Sequence, residues 1–386
     1  MMILNLYNYS MKQEHQDIDK ILPFGELLRG FANQNYISKA DLKKFLRNRG
    51  IFFNQTEKEN LVPCVATLLL SPSEFDVLRE YQNTKEDNTK KNTSRIEWSS
   101  EKSVFEAFEN FDFNELIPDE GVNFWFSKEP IVTIQDNNKD KVVIEYEIER
   151  NDLNKSWYES TNVFTGKVEI EKISDDEIRI IKSYTSSESN SVGENLQKSC
   201  VQHFKKNNYV DKNKELMKIL FGDFGNEDRI VFFYRLSSNM ESSHFEFNDI
   251  INMEFKPDNS ISLPKEIEWM NNKTQLKLKG KLIHDTFFIK EKQFHKNLQF
   301  WEMESSFNFK FGGYDGNCNV VFSFRDYLTK SEKAEFEINI SNFNVNNSAE
   351  LTVKQKSELK NKLLDLFEKR KDETYRNFIE YLKNKN

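Results

Sequence analysis

The chain has 386 residues, enough for two or three domains with filled cores, and 34 of them are Phe, so those cores are rich in aromatic rings. With 12 Gly and 7 Pro it is neither collagen-like nor low in complexity. A net charge of −8 excludes attraction of the whole surface to nucleic acid, so any such contact has to come from local basic patches.

Residues 18–82 read as helical. Ser38 and Asp41 have the spacing of a capping box, in which a hydroxyl and a carboxylate three residues apart satisfy free helix N–H groups. Thr56 with Glu59 and Ser71 with Glu74 repeat the device. Pro72 adds a first-position proline, where its missing N–H costs nothing. After Ser38, Leu42, Phe45 and Leu46 fall at helical spacing, and Gly50 stops the run before Ile51, Phe52 and Phe53. Residues 83–100 are polar and lysine-bearing and read as a linker. Ser103 to Phe113 reads as a short amphipathic helix.

From about residue 121 the pattern changes to period two. Val142, Ile144, Tyr146 and Ile148 alternate with Val143, Glu145, Glu147 and Glu149. Val163–Ile173 and Glu177–Tyr184 read as strands joined at Ser174-Asp175-Asp176. Glu194–Lys206 and Lys214–Phe221 read as helices, and Arg229–Leu236 and His244–Phe255 as strands. Leu276–Leu278, Phe300–Phe311, Val320–Phe324 and Glu335–Ile340 continue in strand, with a turn at Gly312-Gly313. Thr352–Leu382 closes the chain as a long helix. Strands in runs, not in strict alternation with helices, give an α+β fold. It has a small helical domain (18–82), a linker (83–100), a largely antiparallel β-rich body with inserted helices (101–345) and a C-terminal helix (350–386).

Cys64, Cys200 and Cys318 are odd in number and far apart, which fits reduced thiols, and zinc-ligand spacing is missing. The start Met1-Met2-Ile3-Leu4 gives way to polar residues, unlike a signal peptide, and no stretch approaches the roughly 20 apolar residues of a membrane helix. The expectation is a soluble cytoplasmic protein with no cofactor.

The clearest chemical feature is a basic stripe. Lys39, Lys43 and Arg47 recur every four residues, with Lys44 and Arg49 added and only Asp41 opposing them. Side chains four apart share a helix face, so this row can follow phosphates. Lys58 lies at the next helix start. A solvated basic helix face is the plainer alternative. Lys277, Lys279 and Lys281 form a second patch, alternating with Leu276, Leu278 and Leu282. Edge strands also use lysine simply to block aggregation.

Catalytic signatures are weaker. Asp228 with Glu254-Phe255-Lys256 outlines a metal-dependent nuclease site, in which carboxylates hold magnesium and lysine orients water. Such triplets are common in a chain this charged, and Pro257 follows at once. Asp223-Phe224-Gly225 matches the kinase magnesium triplet by letters only, without a glycine-rich loop or catalytic loop. His15, His203, His244, His284 and His295 are not paired at metal-ligand spacing. On the last helix, Leu359, Leu363, Leu366 and Phe367 form one apolar stripe, and Phe378, Ile379 and Leu382 a second, beyond the charged run Glu368–Glu373. Little of the chain remains to cover the second stripe, so it is expected to bury against a partner subunit.

One ordered set of residues carries a resemblance: Leu22-Pro23-Phe24-Gly25, Leu42 and Leu46, Arg49-Gly50-Ile51-Phe52, Lys58, Pro63, Leu69-Leu70-Ser71-Pro72, Glu74-Phe75 and Lys85-Glu86-Asp87. In outline, helix, extended stretch and helix with a following lysine resembles a SAP-type DNA-binding fold. In detail the stretch resembles the N-terminal domain of the second subunit of the fourth Gamma-Mobile-Trio-associated antiphage defence system. The resemblance covers about residues 20–95. It implies a partner nuclease subunit encoded by an adjacent gene and a second subunit that recognises nucleic acid, DNA before RNA, within a hetero-oligomer. It carries no catalytic residue onto this chain. Two rivals remain: the chain as the nuclease, using Asp228, Glu254 and Lys256, or a scaffold without nucleic-acid contact.

Overall fold

The structure is a computed structural model. It describes residues 22–386 except 35–36, 55–56, 87–88, 114–115, 119–121, 152–160, 239–241, 347–350 and 386. The expectations for His15, Thr56 and Asp87 lie outside the described residues. The described residues fall into two compact units. One is drawn from Met1–Asp87, Ile117–Glu129 and Tyr146–Thr165, the other from Asn88–Leu116, Pro130–Glu145 and Gly166–Asn386.

In the first unit, four helices, α1 (Glu26–Ala32), α2 (Lys39–Asn48), α3 (Lys58–Ala66) and α4 (Pro72–Glu86), gather around one apolar core. Leu28, Phe31, Leu42, Phe45, Leu46, Leu61, Val65, Phe75 and Leu78 are buried there. The capping box at α2 is present: the Ser38 N–H donates to Asp41 at 2.9 Å, and the Asp41 N–H donates to Ser38 Oγ at 3.2 Å. At its other end Gly50 takes φ 75°, a conformation that costs a Cβ-free residue little. The N–H groups of Gly50 and Ile51 then reach back to Arg47 O and Leu46 O at 2.8 and 2.9 Å and close the last turn. Ser71 and Glu74 exchange the same pair of bonds at the start of α4. The N-cap of α3 is Glu57, whose side chain makes no capping bond.

The strands are β1 (Lys90–Glu97), β2 (Phe124–Gln135), β3 (Asn138–Asn151), β4 (Thr161–Ser174), β5 (Glu177–Tyr184), β6 (Met217–Lys218), β7 (Phe245–Pro257), β8 (Leu276–Lys279), β9 (Leu298–Phe311), β10 (Tyr314–Ser323) and β11 (Glu337–Val345). They form one sheet in the order β2-β3-β4-β5-β1-β11-β10-β9-β7-β8, with β6 paired to β1. The pairings β4–β5, β5–β1, β1–β11, β11–β10, β10–β9, β9–β7 and β7–β8 are antiparallel. Gly312 and Gly313, both at positive φ, make the tight β9–β10 turn, as the sequence predicts. Helices α5 (Ser187–Lys206), α6 (Asn226–Ser238) and α7 (Val353–Lys385) complete the α+β architecture. Phe232, Phe233, Phe300, Phe322, Phe324 and Phe367 are buried at the heart of the second unit.

Four sequence readings are corrected. The linker at 83–100 contains the end of α4 and the whole of β1. Polarity hid this strand: Lys91, Asn92 and Ser94 are buried, and the Lys91 ammonium is met by Asp365. Arg229–Leu236 is part of α6, not a strand. Its aromatic, β-branched composition favours strands, but Ile230, Phe233 and Leu236 recur at helical spacing and are all buried. Lys214–Phe221 is not a helix: Lys218 and Met217 pair with Ser94 and Arg95, and a short 3-10 turn follows at Phe221–Asp223. Ser103–Phe113 holds only the 3-10 turn Glu106–Phe108.

Candidate nucleic-acid interface

Helix α2 turns Leu42, Phe45 and Leu46 into the core, which leaves the basic residues at the surface. Their fates differ. Lys39 is paired with Glu57 at 2.5 Å. Arg49 is tied down: its Nε and Nη2 donate to the two carboxylate oxygens of Glu74 at 2.5 and 2.7 Å, and Nη2 also donates to Leu69 O at 2.7 Å. Arg49 holds the Glu74 carboxyl at about 2, with bonds from Ser71 adding to the effect, and the same pairing raises the Arg49 guanidinium. Lys58 donates to Asn33 O at 3.2 Å and Gln34 O at 2.7 Å, beyond the last turn of α1, where a cation is favoured by the helix dipole. Arg49 and Lys58, expected to touch phosphate, are thus structural ties of the helical unit.

Lys43, Lys44 and Arg47 are different. Among the described residues they have no ion-pair or hydrogen-bond partner for their side chains, Lys44 and Arg47 are exposed and Lys43 is half-buried. Lys43 and Arg47 lie one turn apart on the same face, about 6 Å along the axis. Beyond the end of α2, Ile51 and Phe53 pack against the core, while Phe52 between them is 79 % exposed. The sequence reading takes these three as one apolar stretch and does not single out Phe52. The signal was the alternation of side chains in extended backbone.

The second lysine patch lies on β8, which ends the strand order. Lys277 is engaged by Glu254, opposite it in register, while Lys279 and Lys281 are exposed. Lys281 follows Gly280, outside the strand, so the three lysines do not form one strand face. Glu254 also accepts from Gln275 at 2.8 Å and lies opposite Glu302 on β9. Burial and the charge of Glu254 push the Glu302 carboxyl up to about 7.

In the proposed nuclease set, Asp228 is in the first turn of α6, Glu254 is engaged as described, and the Lys256 ammonium lies 4.9 Å from the Tyr327 ring centre. Among the described residues no group of three or more His, Cys, Asp or Glu side chains is placed to hold a metal ion.

The C-terminal stripe is corrected at Phe378. Phe378 is fully buried in the second unit, stacked on Phe232 at 5.5 Å between centroids, with Phe224 at 5.9 Å. Leu382 packs on the same core, and Ile379 is half-buried. The reading failed because α6, taken for a strand, supplies the cover. In the charged run before it, Glu368, Lys371 and Asp372 are buried: Asp372 is held by Arg95, by Arg179 at 3.3 Å and by Arg376 at 3.1 Å, and Lys371 pairs with Glu368. Burial opposes ionisation of Asp372, but Lys371 and Arg95 keep its carboxyl below the usual range.

Residues 26–88 match the family model of the GAPS4b protein N-terminal domain. The match takes in α1 to α4, including Lys43, Lys44 and Arg47, and ends just before β1. It agrees with the placement of the resemblance drawn from the N-terminal residues and implies a component of an antiphage defence system. Among curated proteins none matches the chain. No helix among the described residues is long and apolar enough to cross a membrane.

Proposed function

We propose that the chain is the nucleic-acid-contacting, non-catalytic subunit of an antiphage defence complex, acting in the cytoplasm beside a nuclease subunit encoded by an adjacent gene. The observation that carries this reading is the row Lys43, Lys44 and Arg47, without side-chain partners among the described residues and lying inside the segment that matches the defence-family domain. Lys43 and Arg47, four residues apart, repel each other by about 0.2–0.5 kcal/mol, a cost that an anion shared between them would relieve. Lys43 and Arg47, about 6 Å apart along the helix axis, are spaced to meet neighbouring phosphates of one strand. The resemblance of the N-terminal residues to a SAP-type fold supports DNA as the ligand to test first. The exposed lysines Lys279 and Lys281 on the second unit are available as a further phosphate contact.

The test is made on the purified chain and on the complex copurified with the product of the adjacent gene. The chain alone is expected to retard DNA in a gel without cutting it, and the complex to cut. Magnesium-dependent cleavage by the chain alone, abolished by Glu254→Ala, would overturn the non-catalytic assignment. Retardation that Lys43→Glu with Arg47→Glu leaves unchanged would reduce the chain to a scaffold at this face.

A further inference from the structure

We propose that Phe52 is a base-stacking residue, which makes the α2 interface prefer nucleic acid with unpaired bases over intact duplex. This rests on the phosphate-contact reading above and adds a substrate class to it. The Phe52 ring is 79 % exposed; Leu69 is equally exposed and Phe24 is 67 % exposed, so what sets Phe52 apart is the run of basic residues just before it. Its position is fixed: Ile51 and Phe53 pack inward, and the Ile51 N–H is bonded to Leu46 O at 2.9 Å, so the stretch is pinned to the end of α2. Phe52 lies two residues beyond Gly50, whose N–H is bonded to Arg47 O, and two residues of extended chain reach at most about 7 Å. The ring therefore stands at the same end of the helix as Arg47.

Charge decides what covers it. No acidic residue occurs between Asp41 and Glu57, while Lys43, Lys44, Arg47 and Arg49 fall in that interval. An exposed ring at the Arg47 end of a basic helix suits a strand whose phosphates meet the cations and whose base lies flat on the ring. In a duplex the bases are already stacked on one another and offer the ring no free face. A phenyl ring has no donor or acceptor for base edges, so the preference is for unpaired bases of any sequence.

The test uses the full chain and fluorescence anisotropy at low salt. The probes are an oligo(dT) of about 20 nucleotides, longer than the ~4–16 nucleotide footprint of a stacking module, and a duplex of equal length. Phe52→Ala is expected to weaken single-strand binding by about tenfold or more and duplex binding by less than about twofold, while Phe52→Trp keeps the single-strand affinity. Lys43→Ala with Arg47→Ala is expected to weaken both. If that double variant loses binding but Phe52→Ala affects neither probe, or both equally, the stacking role is overturned and the phosphate contact stands. If the wild type binds neither probe, both fall. If Phe52→Ala spares both probes but loses the copurifying subunit, the ring is a protein contact and the proposal is overturned. Because Phe52 is exposed, unchanged circular dichroism of Phe52→Ala is expected to show that the fold is kept.

Discussion

Arg49 at the end of α2 and Glu74 in the first turn of α4 form a two-bond fork, Nε and Nη2 to the two carboxylate oxygens at 2.5 and 2.7 Å. The same carboxylate accepts from the Ser71 N–H and Oγ, each at 2.8 Å, so one side chain caps α4 and holds α2. Arg49→Ala is expected to destabilise the helical unit by about 1–3 kcal/mol, because it removes charge-assisted bonds and leaves Glu74 half-engaged. Arg49→Lys should recover only part, since an ammonium cannot reproduce the fork. Faster amide hydrogen exchange in α2 and α4 is the readout, and unchanged exchange would contradict the role.

Glu74 also sets an acid limit. Its carboxyl is held at about 2 in the folded state, below its ordinary 4.5. A lowered folded value stabilises above the unfolded value and the contribution is lost as pH falls through the folded one. The stability difference between wild type and Glu74→Gln should therefore be full at neutral pH, shrink below about 4.5 and vanish near 2, as read by urea unfolding at each pH. A difference independent of pH would mean that the charge of Glu74 is not what matters.

Glu302 has the opposite sign. Burial, the facing Glu254 and nearby Glu304 raise its carboxyl to about 7. A raised carboxyl is tolerated while protonated, so the folded state loses stability as pH rises from the unfolded value through about 7. Glu302→Gln, which keeps a donor and removes the charge, should stabilise the second unit at pH 8 by about 2 kcal/mol and change little at pH 4. Thermal unfolding at the two pH values checks this, and equal shifts at both would sink it.

Phe378 belongs to the core of this chain, against Phe232 and Phe224. Phe378→Ala should cost about 3–5 kcal/mol, the range for a buried aromatic cut to alanine. Truncation after Glu373 should unfold α7 from the second unit rather than leave a folded protein that fails to assemble. A truncated chain that melts like wild type would restore the stripe as a partner surface.

How much was legible follows from what each segment shows locally. Caps and apolar periodicity gave α2 and α4, and alternation with a glycine turn gave β9 and β10. β1 was hidden because Lys91, Asn92 and Ser94 are buried against polar partners far along the chain, such as Asp365 on α7, which no local pattern reveals. α6 was misread because Phe232 and Phe233 sit side by side in a run that suits strand or helix, and tertiary packing decides. The basic stripe was visible as composition, but which cations are free depends on Glu57, Glu74 and the carbonyls of Asn33 and Gln34, contacts across the fold.

The central claim is that Lys43 and Arg47 meet phosphates. It is tested most directly by measuring the affinity of the full chain for one DNA probe across a salt series, beside Lys43→Ala with Arg47→Ala. Both side chains are surface cations with no described partner, so the double variant should remain folded. The account predicts that log affinity falls linearly with log salt for the wild type, that the variant binds more weakly, and that its slope is shallower by about 2, near 0.9 for each lost phosphate contact. Equal affinity and equal slope for the two proteins would contradict it.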